Sequence, residues 1–166
     1  VVTDNKFERI PECVFICSPP RSGSTVIYQV VSRVLNCCYV TNLHQMFPST
    51  APLYVKHLKG LFSKPKGLSS YYGHTAELLN VNEGNGLVDY WFQSRDRDEL
   101  RERFLRTIGW LTGGSDRPVV IKNVGAYDKL AILAEALPEL IFLRINRDNK
   151  QVVESELKAF YELGYF

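Results

Sequence analysis

The 166-residue chain sets 20 Lys and Arg against 18 Asp and Glu, a formal net charge of +2 with both signs mixed along its length. It has no basic run and no interleaved aromatic ladder, so nothing marks it as a nucleic-acid binder. Hydrophobic residues make up 45% and aromatics 12%, enough to fill the core of one domain spanning residues 1–166. Cys13, Cys17, Cys37 and Cys38 have neither zinc-ligand spacing nor the density of a disulfide scaffold. They are expected to be buried free thiols in a reducing cytoplasm, and no metal is implied. From Val1 onward the chain shows neither a signal-type apolar region nor a membrane span, so no membrane partner is expected.

Taken in order, the pattern alternates strand and helix. A strand over Val14–Ser18 leads into a helix from about Ser22 to Leu35. Its apolar stripe, Val26, Ile27, Val30, Val31, Val34 and Leu35, is expected to face the core. Cys38–Leu43 reads as a second strand and part of Pro52–Phe62 as a helix. Residues from about 63 to 92 are rich in Gly, Ser, Tyr and Asn and read as irregular, an acceptor-side wall in the functional reading below. Asp96 caps a helix to Leu111 that places Leu100, Phe104, Ile108 and Leu111 on one face, and Gly113-Gly114 ends it. Strand Val119–Ile121, helix Tyr127–Leu137, strand Leu140–Asn146 and helix Asn149–Leu163 complete the chain. Short, almost wholly apolar strands alternating with helices imply a three-layer α/β/α fold around a central parallel sheet.

Three segments carry chemistry, and each follows the carboxyl end of an expected strand. The turn Ser18-Pro19-Pro20-Arg21-Ser22-Gly23-Ser24-Thr25 runs from strand to helix. Unpaired N–H groups and the helix dipole make such a junction an anion cradle. Arg21 adds a permanent cation, Ser22, Ser24 and Thr25 add hydroxyls, and Gly23 allows close backbone approach. Against the nucleotide pattern G-x-x-x-x-G-K-[ST], Ser18 and Gly23 take the glycine positions and Thr25 the hydroxyl position. Ser24 stands where that pattern has Lys, which counts against an ATP or GTP hydrolase. The bland alternative is a Ser-rich helix cap. Further on, Arg147 ends a strand, Asp148 caps the next helix, and Ser155 lies eight residues after Arg147. Lys122 ends the strand Val119–Ile121. Taken alone, Lys122 also reads as a solvated strand-end lysine and Arg147 as a surface ion pair with Asp148 or Glu154. In a parallel sheet, however, ligands bind at the carboxyl ends of the strands, so Arg21, Lys122 and Arg147 are expected to converge on one crevice.

These segments resemble those of sulfotransferases that use 3′-phosphoadenosine-5′-phosphosulfate (PAPS). That family's 5′-phosphosulfate loop reads P-R-S-G-[ST]-[ST], matching Pro20 to Thr25. Its 3′-phosphate is held by an Arg at a strand end and a Ser eight residues later, which Arg147 and Ser155 match. A strand-end Lys in some members, at the position of Lys122, helps neutralise the sulfuryl group. The likeness runs from about Val14 to Ser155 and implies a P-loop-like fold. There are departures: Asn149 replaces a frequent Pro, Asn123-Val124 replaces Asp-Pro, and the chain reads as short at its C-terminus, where the family adds a loop closing over the nucleotide.

The resemblance implies PAPS as the sulfuryl donor, no metal, and a hydroxyl-bearing small molecule or carbohydrate as acceptor. A base must take the acceptor's proton. In the tyrosylprotein branch this is a Glu about twenty residues past the loop Arg; here Asn42 stands near that place. His44 is the first substitute, since an unperturbed imidazole titrates near neutrality, with Glu83 and His74 behind it. Tyr71, Tyr72, Tyr90, Trp91 and Phe92 are candidates for an acceptor wall, although core packing is the preferred reading for Trp91 and Phe92. Phe160, Tyr161, Tyr165 and Phe166 are expected to pack on the sheet or on a partner, which leaves a homo-oligomer open. Two rivals stand beside this reading: a P-loop-type nucleotide kinase or hydrolase, and a non-catalytic nucleotide-binding or assembly module.

Overall fold

Four short strands form one all-parallel sheet in the order β2-β3-β1-β4. They are β1 (Cys13–Ile16), β2 (Cys38–Tyr39), β3 (Val119–Lys122) and β4 (Ile141–Leu143). The computed structural model describes residues 11–46, 68, 75 and 77–164. The expected helix within Pro52–Phe62, together with Tyr71, Tyr72, His74, Tyr165 and Phe166, lies outside the described residues. Among the described residues the helices are α1 (Ser24–Val34), α2 (Asn42–Met46), α3 (Asn85–Trp91), α4 (Arg97–Thr112), α5 (Leu130–Ala136, after a 3₁₀ turn at Tyr127–Lys129) and α6 (Asn149–Leu163). Among the described residues no helix is long and apolar enough to cross a membrane.

Strand β1 is central. Its Phe15 pairs with Ile121 of β3 and with Phe142 of β4. Period-2 alternation sends neighbouring side chains to opposite faces of a sheet. Phe15, Val119 and Ile121 therefore join one apolar cluster with Val88, Trp91, Phe104, Ile108 and Leu133 from α3, α4 and α5. Ile16 and Val120 join a second cluster with Tyr28 of α1. Lys122, two residues beyond Val120, projects on the α1 side, which brings it to the start of that helix.

Several expected elements have their expected shape. Asp96 accepts a hydrogen bond from the Glu99 amide (3.0 Å) at the start of α4, and Gly113 closes that helix at φ 59°. Asp148 caps α6 through the Gln151 amide (3.1 Å). The four cysteines are free and buried. Desolvation pushes the Cys13 thiol up to about 12, which keeps it protonated and unreactive.

Other expectations are corrected. The second strand stops at Tyr39, because Asn42–Met46 turns into helix α2. Part of the irregular 63–92 segment is helix α3, opened by Gly84 at φ 65°. A Cβ at Gly84 would also meet Val40 Cγ1 at 3.3 Å, so a side chain there would be strained in its backbone and tight against Val40. The largest difference is in α1. Its buried side is Ser24, Thr25, Tyr28, Gln29 and Ser32, while Val26, Ile27 and Val34 of the apolar stripe are exposed. Polar residues win the interior because each has a role there: Thr25 meets Lys122, Tyr28 donates to the Val120 carbonyl (3.2 Å), and Gln29 donates to Asn80 (3.1 Å). Phe160 and Tyr161 are likewise exposed, rather than packed on the sheet.

Trp91 has no exposed surface, as the core-packing reading requires. Its indole N–H donates to Thr107 Oγ1 (2.9 Å), and its ring meets Phe104 edge-on at 5.1 Å. Trp91→Ala should destabilise the protein by about 3–5 kcal/mol, through lost burial and the cavity left behind. Urea unfolding should show this as a lowered midpoint; a cost below about 1 kcal/mol would contradict the central place of this ring.

Candidate functional site

The carboxyl ends of β1 and β3 open onto a cavity of about 620 Å³. Its lining includes Arg21, Gly23, Ser24 and Thr25 from the β1–α1 turn, Lys122 from β3, and Arg147 from the turn after β4. Glu83, Asn82, Asn85, Asn42, Gln45 and Thr75 form another wall, and Glu156, Ala159 and Phe160 of α6 a third. The strand order explains the convergence. The chain leaves β1 toward the β3–β2 side and later returns across β1 to β4, so connections diverge at the carboxyl ends and leave a crevice between them.

The β1–α1 turn is unusual backbone. Arg21 lies at φ 62° and Gly23 at φ 88°. A left-handed Arg costs on the order of 1 kcal/mol or more and persists only where its surroundings fix it. Here the carbonyl of Arg21 accepts from Arg147 Nη1 at 2.8 Å, and its own Nε donates to Ser155 Oγ at 3.1 Å. The two motifs, more than a hundred residues apart in the chain, thus meet. Helix α1 has no side-chain cap and no acidic residue in its first turn. Its N-terminus presents positive charge to the cavity uncancelled by any carboxylate of that turn. The Ser22 hydroxyl is buried and lacks a hydrogen-bond partner among the described residues. A buried orphan hydroxyl in such a turn fits an anion cradle whose donors are partly unspent.

Lys122 is 2% exposed. Its ammonium donates to Thr25 Oγ1 (3.1 Å) and forms a hydrogen-bonded ion pair with Glu83 Oε1. An ammonium has three donors, so a third remains for the cavity that Lys122 lines. The surface-lysine reading does not survive this burial. Glu83 is held in place by its backbone: Asn123 Nδ2 donates to the Glu83 carbonyl (3.1 Å) and to Asn85 Oδ1 (2.8 Å). Asn82 Oδ1 accepts from the Gly84 amide (2.9 Å), and Asn82 Nδ2 reaches Asn42 Oδ1 (2.8 Å). Asn42 therefore lies in the wall as a structural amide.

His44 is elsewhere. It is buried, and the cavity lining does not include it. Its Nδ1 accepts from the Thr41 amide (3.0 Å), and its own amide donates to Thr41 Oγ1 (3.3 Å). This reciprocal pairing is that of a capping box, with His in place of the usual Glu or Gln, and it starts α2. Burial lowers the His44 pKa from 6.5 to about 4. The folded protein thus favours the neutral ring, and the stability it brings is fully present above pH 6.5 and lost as pH falls toward 4. The loss is on the order of 3 kcal/mol below that range. His44→Gln should flatten this limb of the stability curve, read by urea unfolding at pH 7 and pH 4.5; an unchanged limb would contradict the assignment.

Ser22 and Ser155, both expected to bind the ligand, are not among the lining residues; Ser155 meets the lining through its bond to Arg21. Among the described residues no group of three or more His, Cys, Asp or Glu side chains is placed to hold a metal ion. The run Asn82-Glu83-Gly84 falls in the segment expected to wall the acceptor side, and Asn82 and Glu83 line the cavity; sequence reasoning missed the supporting amides of Asn85 and Asn123, and it missed Glu156. The visible signal for the wall was Asn82-Glu83-Gly84 itself, since the Gly marks a fixed turn. For Glu156 it was the helical spacing to Ala159 and Phe160. No protein-family model, curated protein or solved structure matches the chain.

Proposed function

We propose that the protein is a PAPS-dependent sulfotransferase of P-loop-like, three-layer α/β/α architecture that moves a sulfuryl group to a hydroxyl of a small molecule or carbohydrate. One observation carries the reading: the Arg21 turn touches Arg147 and Ser155 through two hydrogen bonds, and Arg21 and Arg147 line one cavity with Lys122. The sequence resemblance assigns the first to a 5′-phosphosulfate, the second to a 3′-phosphate and the third to the group in flight. The strand order β2-β3-β1-β4, with the turn after the central strand, supports the P-loop-like comparison.

The acceptor oxygen attacks sulfur, and the bond from sulfur to the bridging phosphate oxygen breaks. The products are a sulfate ester and adenosine 3′,5′-bisphosphate. Charge grows on the bridging oxygen, next to the N-terminus of α1, the Ser24 and Thr25 hydroxyls, Arg21 and the third hydrogen of Lys122. Fixed donors of this kind lower the barrier because they need no reorganisation. The acceptor's proton goes to Glu83, the carboxylate of the amide wall. His44 gives up this role because it does not line the cavity. A nucleotide kinase or hydrolase reading is weaker, because Ser24 occupies the place of its lysine.

The test is transfer of labelled sulfate from PAPS to a panel of sugars and phenols. Turnover that Glu83→Gln abolishes would support both the reaction and the base. Bisphosphate binding without turnover on any acceptor would favour the non-catalytic module.

A further inference from the structure

Glu156 is a carboxylate in the wall of a cavity whose other carboxylate, Glu83, is paired with Lys122. It shares the lining with Arg21 and Arg147, and its Oε2 is buried without a hydrogen-bond partner among the described residues. A buried unpartnered carboxylate oxygen is costly, and a group of this kind in a ligand cavity requires a reason. It repels a bare phosphate or sulfate. A ligand that brings its own hydrogen-bond donor beside the anionic groups satisfies it. On the same helix, Ala159 and Phe160 lie three and four residues on and line the same cavity, so the carboxylate and an aromatic ring share one face. An acceptor beside an aromatic ring is the chemistry that recognises a nucleoside: the ring offers a stacking surface, and the oxygen takes an N–H or O–H.

We infer that Glu156 is a specificity-determining residue that accepts a hydrogen bond from the nucleoside part of the bound nucleotide, with Phe160 beside it. The hydrogen comes from the exocyclic amine of adenine or from the ribose 2′-hydroxyl. This rests on the nucleotide reading above and adds to it a reason for choosing one nucleoside over a bare anion. Charge-assisted hydrogen bonds of this type are worth roughly tenfold or more in affinity.

The experiment is calorimetric titration of the full chain and of Glu156→Ala with four probes: adenosine 3′,5′-bisphosphate, inosine 3′,5′-bisphosphate, 2′-deoxyadenosine 3′,5′-bisphosphate and pyrophosphate. The unchanged protein should prefer the adenosine compound about tenfold or more over one of its two analogues, and which analogue loses identifies the donor. Glu156→Ala should bring that ratio close to one while binding pyrophosphate at least as well as before. Glu156→Gln, which keeps an acceptor without the charge, should fall between. A ratio that Glu156→Ala leaves unchanged, with tight bisphosphate binding retained, overturns the role of Glu156 and spares the nucleotide reading. Absence of bisphosphate binding in the unchanged protein overturns both. Pyrophosphate binding and thermal melting of each variant identify any that fails to fold, in which case Glu156→Gln carries the comparison.

Discussion

Lys122→Ala is expected to cut sulfuryl transfer by about a hundredfold or more while weakening adenosine 3′,5′-bisphosphate binding far less. The ammonium is buried at the end of β3, tied to Thr25 and Glu83, with one hydrogen left for the cavity. An interaction that strengthens as charge develops lowers kcat, whereas one made equally to donor and product changes affinity. The partner variant separates charge from chemistry. Glu83→Gln leaves an almost fully buried cation without its counter-charge, so it should cost about 3 kcal/mol of stability. The double variant Lys122→Met with Glu83→Gln should regain much of that stability yet remain inactive. Unchanged turnover in Lys122→Ala would remove the lysine from the reaction.

Loss of the Arg21 side chain should harm binding and turnover together. Arg21 holds a left-handed backbone angle, so Ala there would add strain to the loss of charge. Arg21→Gly avoids the strain and removes only the guanidinium. It should weaken adenosine 3′,5′-bisphosphate by about 1.5–3 kcal/mol, because a charge-assisted donor is lost and Ser155 loses the group that orients it. Equal binding by Arg21→Gly and the unchanged protein would mean that the guanidinium does no more than link the turn to α6.

The parts of this architecture legible in sequence were those fixed by local chemistry. The cap at Asp96, the stop at Gly113, the strand-turn-helix at Arg21 and the strand-end position of Lys122 are short-range signals, and the parallel sheet follows from apolar strands spaced by helices; the last strand stops at Leu143 rather than at the expected Asn146, so Arg147 sits in the turn beyond it. What failed was tertiary. The apolar stripe of α1 gave the wrong face, because three polar residues of that helix are paired with Lys122, Val120 and Asn80, all distant in sequence. His44 has the right chemistry for a base, but the Thr41 amide uses its ring nitrogen, which no spacing rule revealed. The Lys122–Glu83 pair joins residues 39 positions apart, so Glu83 could be placed beside His44 in the sequence but not chosen over it.

The central claim is that the Arg21 turn and the Arg147–Ser155 pair bind the two phosphates of one nucleotide. It is tested most directly by comparing the affinities of adenosine 3′,5′-bisphosphate and AMP in the unchanged protein and in Arg147→Ala. The account predicts that the bisphosphate binds at least about tenfold more tightly, and that Arg147→Ala removes the advantage, weakening the bisphosphate more than AMP, since the Arg21 turn loses one anchor but keeps its bond to Ser155. Equal affinities for the two nucleotides in the unchanged protein would contradict it.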